Sequence, residues 1–215
     1  MTVKICGITA VEQGRAIAQL GASALGYICV KKSPRYMTPE AIAPIISAVP
    51  DVEHFGVFAN APLLDIITAT KTAGFTVIQL HGDETPATCQ LLRDALEHSN
   101  IPNIQLVKAF RVRTAEDLEM ALTYEPYVDR LLLDAYHPDQ LGGTGETLDW
   151  PTLKSFTPRL PWFLAGGLNP DNITEALAQL SPNGIDLSSG VERSPGDKDL
   201  EKVRQLFEQL TVWSN

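Results

Sequence analysis

Cysteine is scarce in this chain, three in 215 residues, and one of them, Cys6, stands in VKICGIT (3–9), where an apolar run gives out into a loop. A carboxyl occupies the same kind of place in RLLLDA, which leaves Asp134 at the end of another apolar run. A thiol and a carboxyl at strand ends are what an isomerisation by proton transfer needs, one group abstracting while the other donates. Each also has a structural reading. A buried cysteine is a small apolar filler, and aspartate commonly caps turns and helices. Against the capping role, Asp134 is followed by the long stretch AYHPDQLGGTGETLDW (135–150), in which Asp149 is better placed to open the next helix.

Three glycine-bearing segments accompany the pair: GGTG (142–145), AGG (165–167) and SSG (188–190). Glycine lets a backbone approach an anion closely, and exposed N–H groups near a helix start supply the hydrogen bonds. Gly143, Thr144, Gly145, Gly166, Gly167, Ser188, Ser189 and Gly190 are therefore candidate phosphate ligands. One phosphate is implied rather than a dinucleotide, because no GxGxxG opens a helix here.

The elements that must position these groups are legible as an alternation. Short apolar, β-branched runs at Thr2–Cys6, Ala24–Val30, Glu53–Phe58, Thr76–Leu80, Gln105–Phe110, Arg130–Asp134, Trp162–Ala165 and Gly184–Ser188 are predicted strands. Amphipathic segments lie between and after them. Ile42, Ile45, Ile46 and Val49 recur at helical spacing, as do Leu200, Val203, Leu206, Phe207 and Leu210. Thr38-Pro39 and Asn169-Pro170 each place a capping residue before a proline at the first helical position. Eight strand–helix units without a linker-like break imply one α/β domain over residues 1–215, a (β/α)8 barrel, with an open doubly wound sheet as the alternative. Barrel enzymes carry their chemistry at the C-terminal ends of the strands, and phosphate sites recur after strands seven and eight.

In a ring of eight, strands one and six lie three steps apart through seven and eight. Cys6 and Asp134 then face each other across the barrel mouth, with two of the glycine segments on the arc between them. Lys4 points to the same side as Cys6 by strand alternation. Closure sets strand eight beside strand one, which suggests Asp186 as the partner of Lys4, since an unpaired buried lysine is costly. The Lys4 charge would lower the Cys6 pKa, with Asp186 offsetting part of that pull. Gln79 and His81 share one face at the end of strand four and are candidates to touch a substrate; His81 could instead hold Asp83 or a backbone group at the rim.

Composition excludes several roles. A net charge of −9 argues against a nucleic-acid partner. No apolar run approaches the roughly 18 residues of a membrane span, and the N-terminus enters a strand-like segment without the pattern of a secretory signal. An odd set of cysteines without metal-ligand spacing fits reduced thiols and a cytoplasmic location. Self-association, whether monomer or homodimer, stays open.

With VKICGIT, SPRYMTPE, GVFAN, IQLHGDE, LLLDA, GGTGETLDW, LAGGLNPDN and IDLSSGVERSPGDKD in this order, the chain resembles the phosphoribosylanthranilate isomerases of tryptophan biosynthesis from residue 3 to about residue 205. The resemblance implies a barrel enzyme without metal or organic cofactor that performs an Amadori rearrangement on a phosphosugar. It implies Cys6 as general base and Asp134 as general acid. It also implies Arg35, in SPRYM, as the group that meets the anthranilate carboxylate, a task suited to a guanidinium fork. GYICVKKSPRY is less aromatic before SPRY than the family often is, and SPGDKD retains the sense of a turn opening the last helix. The competing readings are another phosphosugar barrel, such as a ribulose-phosphate epimerase, and a phosphate-binding barrel without catalysis.

Overall fold

The computed structural model describes residues 1–101, 103–135 and 150–213. Eight parallel strands close on themselves: β1 (Thr2–Cys6), β2 (Ala24–Ile28), β3 (Glu53–Phe58), β4 (Val77–Leu80), β5 (Gln105–Val112), β6 (Arg130–Ala135), β7 (Trp162–Ala165) and β8 (Gly184–Leu187). The ladder between β8 and β1 sets Lys4 opposite Asp186 and completes the ring, which excludes the open sheet. Helices α1 (Val11–Gln19), α2 (Pro39–Ala48), α3 (Leu63–Ala73), α4 (Pro86–His98), α5 (Ala115–Leu122), α6 (Trp150–Leu153), α7 (Ile173–Gln179) and α8 (Leu200–Trp213) alternate with the strands.

Strands buried on both faces carry apolar side chains almost without interruption, as LLL in β6 does. One set, including Ala24, Phe55, Val107, Leu132 and Phe163, fills the barrel interior. The alternate set, including Ile5, Leu25, Leu131 and Leu133, meets buried helix residues such as Ile17, Ile45, Ile66 and Leu206. Polar side chains near the interior are consequently few, and each must be paired.

The expected strands are all present, three with the expected bounds and five with one end shifted by one or two residues. β8 stops at Leu187 because Ser188, at φ −131° and ψ −88°, leaves the extended region. β2 stops at Ile28, where the chain folds into a turn closed by Ser33 N–H to the Val30 carbonyl. Thr38 caps α2 as its type and the following proline require, accepting from Ala41 N–H.

Asn169-Pro170 opens a turn rather than α7 itself, which begins at Ile173. Asn169 Oδ1 accepts from the N–H groups of Asp171 and Asn172, while Asn172 Oδ1 accepts from Asn169 N–H. This reciprocal arrangement makes Asn172 the residue before the first helical turn. The SPGDKD stretch also differs from expectation. Before α8 it forms a small antiparallel hairpin, β9 (Glu192–Ser194) with β10 (Asp197–Lys198), following a 3-10 turn at Ser189–Val191.

Candidate active site

A cleft of about 350 Å3 opens at the C-terminal mouth of the barrel. Its wall takes Cys6 from β1, Arg35 from the loop after β2, Gln79 and His81 from β4 and its loop, and Asp134 from β6. The loops after β7 and β8 contribute Gly166, Gly167, Ser188, Ser189 and Gly190, and β8 itself contributes Asp186. The side chains singled out in the sequence thus converge on one cavity. Gly143, Thr144, Gly145 and Asp149 lie outside the described residues.

Cys6 is 5% exposed at the cleft floor. Directly below it in the strand, Lys4 is wholly buried, with its Nζ 2.7 Å from Asp186 Oδ2 and 5.1 Å from the centre of the Phe55 ring. The expected pair is therefore formed. The other Asp186 oxygen, Oδ1, is buried without a hydrogen-bond partner among the described residues. Burial pushes the Cys6 thiol above its usual range; Lys4 and then Lys198 pull it back, while Asp186 adds to the rise. The pull from Lys4 is present as expected, but desolvation outweighs it, so the net shift runs opposite to the expected direction. For Lys4 itself, burial favours the neutral amine, yet the Asp186 carboxylate and the nearby sulfur overcome it and the ammonium is held.

Asp134 stands opposite with a third of its side chain exposed, and His81 Nε2 lies 3.7 Å from its Oδ2. Gln79 Nε2 is 3.0 Å from His81 Nδ1. This contact fixes the plane of the His81 ring and turns its Nε2 toward Asp134. His81 does not hold Asp83, which is tied instead to Asn60 through both the Asn60 side-chain amide and the Asp83 N–H. The buried Gln79 Oε1 has no hydrogen-bond partner among the described residues.

Arg35 reaches the cleft by laying its stem across the loop after β1. A Cβ on Gly7 would come within 2.7 Å of Arg35 Cδ, and Gly7 also has φ +85°, so glycine suits both the bend and the contact. The guanidinium is already gripped on one side. Its Nε donates to both oxygens of Glu192, at 2.9 and 3.1 Å, and its Nη2 donates to Oε2 at 2.5 Å. Lys198 Nζ donates to the same carboxylate at 2.7 Å, and Gly196 N–H at 3.1 Å. Burial alone would raise the Glu192 carboxyl, but the hydrogen bonds from Arg35 and Lys198 carry it below its usual range.

Glu192 and Lys198 are the site-bordering residues that the sequence reading missed. A signal existed. Pro195-Gly196 is a turn dipeptide that announces a hairpin; a plain two-residue turn would set Arg193 opposite Lys198, and a register shift between Asp197 and Lys198 brings Glu192 there instead.

The remaining wall is backbone. Gly166 and Gly167 adopt left-handed conformations, φ +90° and +65°. Gly190 packs so closely on the neighbouring loop that a Cβ would lie 2.0 Å from the Leu168 carbonyl oxygen. Two successive loops are thereby packed together along one edge of the cleft, and left-handed glycines of this kind can form a concavity suited to an anion. Among the described residues, no group of three or more His, Cys, Asp or Glu side chains is arranged to hold a metal ion.

The family model for N-(5'-phosphoribosyl)anthranilate (PRA) isomerase matches residues 3–209. The chain belongs to the N-(5'-phosphoribosyl)anthranilate isomerase family. A relative of that name from Nostoc punctiforme is 57% identical over 211 residues, covering 98% of each chain. Among solved structures, the phosphoribosyl anthranilate isomerase of Thermotoga maritima superposes with a TM-score of 0.86 at 33% identity, covering 99% of both chains. Another phosphoribosyl anthranilate isomerase, at TM-score 0.82, 30% identity and 99% coverage of both chains, was solved in complex with reduced 1-(o-carboxyphenylamino)-1-deoxyribulose 5-phosphate. Family membership and barrel architecture therefore agree with the resemblance drawn from the motifs. Among the described residues no helix is long and apolar enough to cross a membrane.

Proposed function

We propose that this chain catalyses the Amadori rearrangement of N-(5'-phosphoribosyl)anthranilate to 1-(2-carboxyphenylamino)-1-deoxyribulose 5-phosphate, the isomerisation step of tryptophan biosynthesis. The observation that carries the reading is the meeting of Cys6 and Asp134 in one cleft whose third wall is the glycine loops after β7 and β8. The phosphate rests on the N–H groups of Gly166, Gly167, Ser189 and Gly190 and on the Ser188 loop, which fixes the sugar between thiol and carboxyl. Asp134, with its face open to the cleft, protonates the furanose ring oxygen. The C1'–O bond breaks and a protonated Schiff base forms at C1'. Cys6 as thiolate then removes the C2' proton, the C2'–H electron pair becomes the C1'=C2' double bond while the C1'=N π pair returns to nitrogen, and the resulting enolamine tautomerises to the ketone. His81 faces the Asp134 carboxyl, and Gln79 fixes the ring that does so. Arg35 meets the anthranilate carboxylate at the opposite rim. One barrel domain carries the reaction in the cytoplasm, as a monomer or homodimer.

The test is a coupled assay, with the substrate generated in place from anthranilate, phosphoribosyl pyrophosphate and a transferase and its fluorescence followed. Rapid loss of fluorescence is expected with the unaltered chain. Cys6→Ala or Asp134→Asn should lower kcat by roughly two to four orders of magnitude, the usual range for general acid–base groups. An unchanged kcat in either folded variant removes that residue from the mechanism.

A further inference from the structure

Arg35 poses a geometric problem for a carboxylate ligand, because a carboxylate already occupies it. Glu192 takes the side fork formed by Nε and Nη2. A guanidinium has five N–H donors, and Nη1 is engaged by none of the described residues. The outer edge, formed by Nη1 with the second hydrogen of Nη2, therefore remains for a second carboxylate, which the planar fork can grip in the same bidentate manner. Charge balance permits this. The Arg35–Glu192 pair alone would be neutral and would present no net charge to an anion. Burial lowers the Lys198 pKa and Glu192 opposes that fall; protonated Lys198, wholly buried and 2.7 Å from Glu192 Oε1, makes the trio a net monocation.

Burial settles which member is fixed and which is presented. The side chains of Glu192 and Lys198 are 4% and 0% exposed, whereas that of Arg35 is 20% exposed at the cleft. Glu192 is further pinned by Gly196 N–H within the same hairpin. Lys198 is pinned by the Ser188 carbonyl in the loop after β8. The hairpin is thus a rigid bracket reaching from the last helix to the cleft, and its end piece is a carboxylate aimed at Arg35.

From this we infer that Glu192, held by Lys198, is a positioning residue that turns the outer edge of Arg35 toward the carboxylate of the ligand. The inference rests on the proposed role of Arg35 and deepens it. It makes recognition of the aromatic acid a property of the hairpin as well as of the loop after β2. A flexible arginine loses rotamer freedom when it binds, and a guanidinium already held by two hydrogen-bonded oxygens has lost it beforehand.

The experiment compares the full chain with Glu192→Gln, Arg35→Met and the double variant. It uses turnover and calorimetric binding of two probes, the reduced product analogue, which bears the carboxylate, and inorganic phosphate, which does not. Glu192→Gln is expected to raise KM and weaken the analogue roughly 10-fold, about the worth of one charge-assisted hydrogen bond. Its kcat should stay within about twofold and its phosphate affinity should be unchanged, and the double variant should bind the analogue no more weakly than Arg35→Met alone. If Arg35→Met weakens the analogue and Glu192→Gln does not, the positioning role is overturned while the Arg35 reading stands. If Arg35→Met itself leaves the analogue unaffected, that reading fails and the inference with it. Should Glu192→Gln melt or lose phosphate binding too, Glu192→Asp, which keeps a charge on Lys198 but draws the carboxylate back, carries the test. Selective loss of the analogue supports the proposal, and an unchanged analogue affinity or the same fold-loss for both probes overturns it.

Discussion

The thiol proposed as the base, Cys6, meets opposing fields that can be ranked. Burial raises it, the Lys4 and Lys198 ammonium groups lower it, and Asp186 takes back part of the gain, with a net rise above the ordinary thiol. The sign for catalysis follows. The free thiol is mostly protonated at neutrality, and the active thiolate grows as pH rises toward its pKa. The log of kcat/KM should therefore climb with pH through and beyond about 8.5, the ordinary cysteine value, with a limiting slope of one. The residual activity of Cys6→Ala should lack this limb. A pH–rate profile already flat between pH 7 and pH 9 would show that ionisation of the free thiol does not set the rate. Cys29 and Cys89 need not confuse that profile. Burial pushes their thiols to about 12 and about 11, and neither lines the cleft.

At the scale of elements, the proposed anion site is a contact between two loops rather than a property of either. Gly190 after β8 lies against the Leu168 carbonyl after β7, and a backbone oxygen 2.0 Å from a Cβ cannot yield as a flexible side chain would. Gly190→Ala must separate the two loops proposed to hold the phosphate. Inorganic phosphate should then bind at least about 10-fold more weakly by calorimetry, the worth of one lost hydrogen bond to a charged group. Equal affinity would move the phosphate away from this junction. The glycines AGG and SSG were legible because their residue types announce close backbone approach. Arg35 was legible only as a cation in a loop, since its partner Glu192 lies 157 positions away and no local pattern links them. The start of α7 was misplaced for a similar reason. Asn169 and Asn172 cap each other, and a proline between them marks the turn as readily as the helix. The sequence leaves Asp83 open as a partner for His81, because the amide of Asn60 that claims Asp83 comes from another loop.

For the molecule as a whole, the decisive join is the seam between the last strand and the first, because a parallel barrel is defined by closing there. Most of that ladder is backbone. The register, however, sets Lys4 against Asp186, and strand alternation together with closure of the ring was enough to anticipate the pair. One ammonium with no exposure and one carboxylate with 9% make it a buried ion pair. Such pairs are costly to assemble and costlier to break, because the survivor is left charged in a poor solvent. Lys4→Met should therefore destabilise the fold by about 3–5 kcal/mol, read from the midpoint of urea unfolding at constant slope. Replacing both partners, Lys4→Met with Asp186→Leu, should recover most of that loss by leaving no orphaned charge. A midpoint unchanged by Lys4→Met would mean that the seam holds without the pair. The same variant ties closure to chemistry. Removing the cation that draws the Cys6 thiol downward should move the limb of the pH–rate profile to still higher pH, even under conditions where the barrel remains folded.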